Sequence, residues 1–150
     1  PGTFPADGSA MSTTSGSFWI GNNNTSSTWD SVNQRWILAN SGSNRIVSIP
    51  WSGSVAGTIS TYTALDKNLL SFVRRKESSG SVEAIYYCSE DGDIRRRNVT
   101  TGTEAQLAWP TSTIKCTGKS MTYNPNLNTL AFPVVQDGLY GVATYSIGAP

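Results

Sequence analysis

A sugar is held by two kinds of side chain: an aromatic ring that packs on its apolar C–H face, and planar polar groups that hydrogen-bond its hydroxyls. The chain carries five tryptophans. Trp51 and Trp109, which close apolar runs, are better placed for such contact than Trp36, which lies inside one. Arg35 opens a run and has the forked donors of a hydroxyl clamp. Catalysis is poorly provided for. The chain has no histidine, which removes the usual general base, the usual metal ligand and the Ser-His and Cys-His nucleophile pairs. Its ten acids are too scattered to nominate a glycosidase pair from spacing. Glu90-Asp91-Gly92-Asp93 resembles part of a calcium loop but lacks the further oxygen ligands that ion requires. Cys88 and Cys116 are too few for a zinc site and leave either one disulfide or two buried thiols. A non-catalytic binding protein without cofactor or metal is therefore expected.

Charge limits the partners. Eleven basic against ten acidic residues leave a net charge of +1, too weak a field to hold nucleic acid. No apolar stretch approaches the ~20 residues of a membrane span, so no membrane insertion is expected. Arg95-Arg96-Arg97 and Arg74-Arg75-Lys76 could form one basic surface for acidic glycans, but strand alternation splits each run over two faces, so solvated strand edges are the expectation. Abundant Ser, Thr, Asn and Gly, with sequons at Asn23, Asn24 and Asn98, point to secretion.

The elements that must position these residues read as β throughout. Residues 1–16 hold Pro, Gly and Ser/Thr with little to bury and read as an arm, leaving 17–150 as the folded domain. From there no window has helical apolar spacing, while short aromatic and β-branched runs recur between turn residues. They form three similar units, each a strand followed by a hairpin. In the first, Trp29 leads to residues 35–39, a Ser41-Gly42 turn and a return strand over 45–49. The second has 70–73, then 84–88, an Asp91-Gly92 turn and 94–97. The third has 121–123, then 130–132, an Asp137-Gly138 turn and 140–145. Asp-Gly marks tight hairpins because glycine accepts the positive φ they need. Gly42, Gly92 and Gly138 are spaced by about the 40 to 50 residues of one propeller blade. Pro133 should place its strand at an edge or at a bulge.

Trp29-Asp30-Ser31-Val32, Arg35-Trp36-Ile37, Asn40-Ser41-Gly42, Arg45-Ile46 and Trp51-Ser52-Gly53, echoed by Ile85-Tyr86-Tyr87 and Glu90-Asp91-Gly92-Asp93-Ile94-Arg95, resemble the repeat of the fungal and bacterial fucose-binding lectins. The resemblance spans roughly Ser17 to Ser146. It implies an all-β, six-bladed β-propeller fold, here with three four-stranded blades per chain. It also implies a sugar held between adjacent blades by an arginine opening the hairpin, a glutamate on the return strand and late tryptophans. Arg35 and Trp51 match directly, Trp109 stands for the late tryptophan of the second unit, and Arg96 occupies its glutamate position, so these four are the expected carbohydrate-binding residues. Ser48 holds the glutamate position of the first unit, while the arginine position falls near Ala84 and near Thr129 or Leu130 in the others. A second reading follows from these departures: a structural or protein-interaction domain that has lost its sugar sites.

Three blades cannot close a six-bladed ring, so the resemblance also implies a homo-oligomer, first of all a dimer. A β-trefoil, which closes three repeats within one chain, is the alternative architecture.

Overall fold

The structure, a computed structural model, describes residues 25–52, 55–76, 83–108, 113–118 and 120–147. The arm over 1–16, the sequons at Asn23 and Asn24, and Trp109 lie outside them. Every regular element among the described residues is a β-strand, and every pairing is antiparallel. The first unit is β1 (Thr25–Asp30), β2 (Arg35–Asn40) and β3 (Ser43–Ser52), with β4 (Val55–Ala56) on the end of β3. A long strand, β5 (Ser60–Lys76), leads into β6 (Glu83–Ser89), β7 (Ile94–Asn98) and β8 (Glu104–Gln106). The third unit comprises β9 (Lys115–Cys116), β10 (Thr122–Asn124), β11 (Thr129–Gln136) and β12 (Leu139–Ser146).

All three expected hairpins form: β2–β3, β6–β7 and β11–β12 turn at Gly42, Gly92 and Gly138, with φ of 82°, 84° and 78°. At Gly92 a second constraint adds to the first, because a Cβ would come within 2.7 Å of the Lys115 side chain laid over the turn. Each hairpin is preceded by a strand on its first arm: β1 on β2, β5 on β6 and β10 on β11.

The units are not three separate four-stranded sheets. β5 pairs with β3 through Ser60, Thr61, Thr63, Ala64 and Leu69, and with β6 from Leu69 to Lys76, so the first two units fuse into one eight-stranded sheet. The β3 ladder is interrupted by a bulge of β5 between Ala64 and Leu69, and Leu69 is paired on both sides, with Ser43 and with Ser89. The third unit is a four-stranded sheet of its own. Both sheets are open in their strand order, so the described residues form no closed barrel of the kind a trefoil needs.

Alternation explains how the units stack. β6 is buried on both faces. Ile85 and Tyr87 pack with Ile37, Ala39, Ile46, Leu65, Leu69 and Phe72 on the side of the first unit. Ala84, Tyr86 and Cys88 pack with Ile94, Cys116, Leu130 and Phe132 on the side of the third. The middle unit is thus a layer between two others, each large side chain so buried contributing roughly 1.5–3 kcal/mol. The leading strands lie near one another: Phe72 N on β5 donates to Ser26 Oγ on β1 at 3.4 Å, and Arg75 on β5 lies over Tyr123 on β10.

Of the two states open to Cys88 and Cys116, the structure has the disulfide, with Cα atoms 6.1 Å apart. It ties β6 to β9, which itself pairs with β11 and whose Cys116 N donates to Gly92 O at 2.8 Å.

Pro133 departs from expectation, since β11 is a central strand. On the side away from β12, β10 pairs with β11 as far as Ala131 and β9 begins at Val134. Thr117 N donates to Pro133 O at 3.0 Å on that side, so the proline's missing N–H points into the gap between two short strands and breaks no ladder.

Candidate functional site

Arg35 is fixed where the β1–β2 turn closes. Asp30 and Arg35 are the last pair of that ladder, and Asp30 is buried beneath the turn. Its carboxylate accepts from Asn33 N and Nδ2 at 3.3 and 2.7 Å and from Arg35 Nε at 3.0 Å, and it pairs with Arg74 Nη2 at 3.1 Å. Burial opposes the charge of Asp30, but the Asn33 and Arg35 hydrogen bonds and the Arg74 charge outweigh it and hold the carboxyl well below the usual range. The Arg35 guanidinium lies 4.9 Å from the centre of the Tyr62 ring. Tyr62 and Arg74 both donate to Glu83. Five side chains from β1, β2, β5 and β6 thus form a polar cluster in the seam between the first two units. Arg35 sits where the resemblance puts a sugar-binding arginine, but it is engaged by protein groups.

The basic runs split over two strand faces as alternation requires, yet they are not solvated edges. Both faces of β5 are packed, so the Arg74 side chain is 10% exposed and Arg75 is buried, its Nη2 donating to Asn128 Oδ1 at 3.2 Å. On β7, Arg95 Nε donates to Glu104 Oε1 at 2.7 Å, and Tyr87 Oη donates to the same oxygen at 2.5 Å. Arg95 also pairs with Asp93 at 3.2 Å. Arg96 pairs with Tyr86 in register, on the opposite strand face, so it does not converge with Arg35.

These buried pairs imply a stability profile with two edges. Burial, reinforced by a carboxylate partner, holds the phenols of Tyr62 and Tyr87 well above the usual 10.0. Burial opposes the Asp93 charge too, but hydrogen bonds from Ser89 and Arg95 prevail and lower it from 3.8, as Asp30 is lowered. The unfolded carboxyls take up protons first on acidification, so their contribution is present above 3.8 and lost as pH falls towards their folded values. The unfolded phenols lose protons first on alkalinisation, so their contribution is present below 10.0 and lost as pH rises towards the folded values. Denaturant midpoints are expected to fall below about pH 4 and above about pH 10. In absorbance titration of the folded protein, two of its six tyrosines should ionise last.

The first unit's other face carries the aromatics. Trp29 and Trp36 are cross-strand partners with ring centroids 5.1 Å apart and planes inclined at 56°. Trp36 pairs with Ile49, and alternation puts Trp51, two residues on, on the same face. Trp51 N donates to Gln34 O at 2.8 Å, which holds it beside the β1–β2 turn. Three tryptophans therefore share one end of one sheet face, with Trp36 40% exposed and Val32 71% exposed at the adjoining turn. Arg35 alternates to the inner face with Ile37, so Arg35 and Trp51 do not meet on one side of the sheet. Sequence reasoning kept Trp51 and passed over Trp29 and Trp36; the two residues flank a turn closed by Asp30 and Arg35, and that register was the usable clue. Searches of protein-family models and of curated proteins return no match to this chain.

Proposed function

We propose that the chain is a non-catalytic carbohydrate-binding module of β-propeller type, with a sugar stacking on the Trp29, Trp36 and Trp51 face. The observation that carries this reading is that face itself: three tryptophans at one sheet end, two of them in ring contact and one 40% exposed. Exposed aromatic area of this kind is the surface on which a pyranose packs its apolar C–H face. Support for the propeller comes from three hairpin units in layers, neighbouring leading strands, and a β5 that runs from one unit into the next. The ring would be completed by a second copy. Arg35 serves in this reading as a positioning residue for the tryptophan-bearing turn. The disulfide supports a secreted protein, because such bridges persist in oxidising compartments.

Trp36→Ala is expected to weaken glycan binding about tenfold or more while changing stability by only about 1 kcal/mol. A broad glycan array followed by calorimetry on the best binder checks both. An array on which neither protein binds would remove the sugar reading. The engagement of Arg35, Arg74 and Arg95 by acidic partners favours a second reading, a protein-interaction domain, which co-purification of a protein partner would then support.

A further inference from the structure

Among the described residues, the third unit lacks a strand that the other two have. In the first, the return arm β3 is covered by the start of β5; in the second, the return arm β7 is covered by β8. The return arm of the third, β12, has no neighbour beyond β11 among the described residues. It is eight residues long, and Leu139, Tyr140 and Val142 on it are 77%, 84% and 75% exposed. Natural edges are kept from pairing by charge, proline, short length or a cover. The edge strand of the larger sheet, β8, is protected by its length of three residues. β12, Leu-Tyr-Gly-Val-Ala-Thr-Tyr-Ser, has no charge and no proline.

The register also shows which groups the open edge offers. The Pro133 carbonyl points to Thr117, away from β12, so Pro133 and Val142 are a non-hydrogen-bonded pair. Val142 therefore turns its own N–H and C=O outward, and by alternation Tyr140 and Thr144 do the same.

We propose that β12 pairs with β12 of a second copy of this chain, antiparallel, about a two-fold axis at Val142. Every requirement of such a pairing is met by the strand itself. An axis there sets Val142 against Val142 of the other copy and Tyr140 against Thr144, with about six inter-strand hydrogen bonds. It lays Tyr140 and Val142 of both copies side by side on one sheet face. No charge meets a like charge, which a self-pairing strand requires. An unrelated partner has no feature here to select it, whereas an identical strand supplies its own complement. The inference does not rest on the sugar-binding reading.

Two variants test it. Val142→Pro removes an N–H that points outward and leaves the β11 ladder intact; it is expected to convert a species of twice the 16.1 kDa chain mass into a monomer by light scattering, with its circular dichroism unchanged. Val142→Cys is expected to form an interchain disulfide on mild oxidation that reducing agent reverses, since paired strands bring the two Cα atoms within bridging distance. A native protein that is monomeric at all concentrations overturns the proposal. So does a dimer that persists with Val142→Pro and gives no Val142→Cys cross-link, a result that would leave ring closure through the unit faces standing.

Discussion

Replacing Cys88 and Cys116 together by alanine is expected to lower the free energy of unfolding by about 3.5 kcal/mol, and the melting temperature by roughly 7–14 °C. The magnitude follows from the sequence separation of 28 between the two positions: an unfolded chain without the bridge regains the entropy of a loop of that length. The location predicts something more specific than a lower midpoint. The two sheets share no ladder, and the bridge joins β6 of the larger to β9, which is held to β11 of the smaller by two register pairs. Freed of the bridge, β9 keeps the Cys116 N to Gly92 O bond and that short ladder. Amide exchange in β10, β11 and β12 should therefore accelerate more than exchange in β2, β3 and β5. Uniform acceleration across both sheets would show that the layers unfold as one unit without the bridge.

What was legible in the sequence was local. The three hairpins could be read because each is a run of β-forming residues ending in a glycine turn, and both signals lie within a dozen residues of one another. Partners chosen over longer distances could not. Nothing near Ser60 announces that this stretch will pair with β3, because its side of the ladder is written in β3. Alternation correctly divided Arg74 from Arg75, but whether those faces meet water or another layer depends on how units stack, and stacking buried Arg75 and left the Arg74 side chain only 10% exposed. The candidate site was half visible for the same reason. Trp51 was recognisable from its position at a strand end. Its companions Trp29 and Trp36 required the β1–β2 register, set by the four-residue turn in which Gln34 takes a φ of 48°. That register also assigns Arg35 to the inner face, so the pairing of Arg35 with Trp51 implied by the resemblance becomes two separate tasks: one residue braces the turn and the other is presented by it.

Glu104→Ala is expected to lower stability by about 3–5 kcal/mol, as much as any single substitution outside the apolar core. The Glu104 side chain is fully buried and accepts from Tyr87 Oη, Arg95 Nε and the Asp66 N–H, with Arg97 Nη1 at 3.8 Å. Three strands and the β5 bulge converge on one carboxylate, at the point where the first unit's core meets the second unit's outer strand. Truncation leaves the Arg95 guanidinium, whose side chain is only 16% exposed, with Asp93 as its remaining acidic partner, and a largely buried charge that loses an acceptor is more damaging than an apolar gap of equal size. Glu104→Gln separates charge from geometry. It keeps an acceptor for Tyr87 and Arg95, so a loss of about 2 kcal/mol is expected, measured by guanidinium unfolding at pH 7. Its second effect is independent of stability. Burial is the largest cause of the raised Tyr87 pKa, the hydrogen bond to Glu104 the next and the Glu104 charge the third, so in Glu104→Gln, which removes the charge but keeps an acceptor, the phenol should ionise at a lower pH than in the native protein while staying above 10.0. An absorbance titration in which the late-ionising tyrosines are unaffected would show that Tyr87 is governed by burial alone, and that Glu104 acts in this fold only as the partner of Arg95.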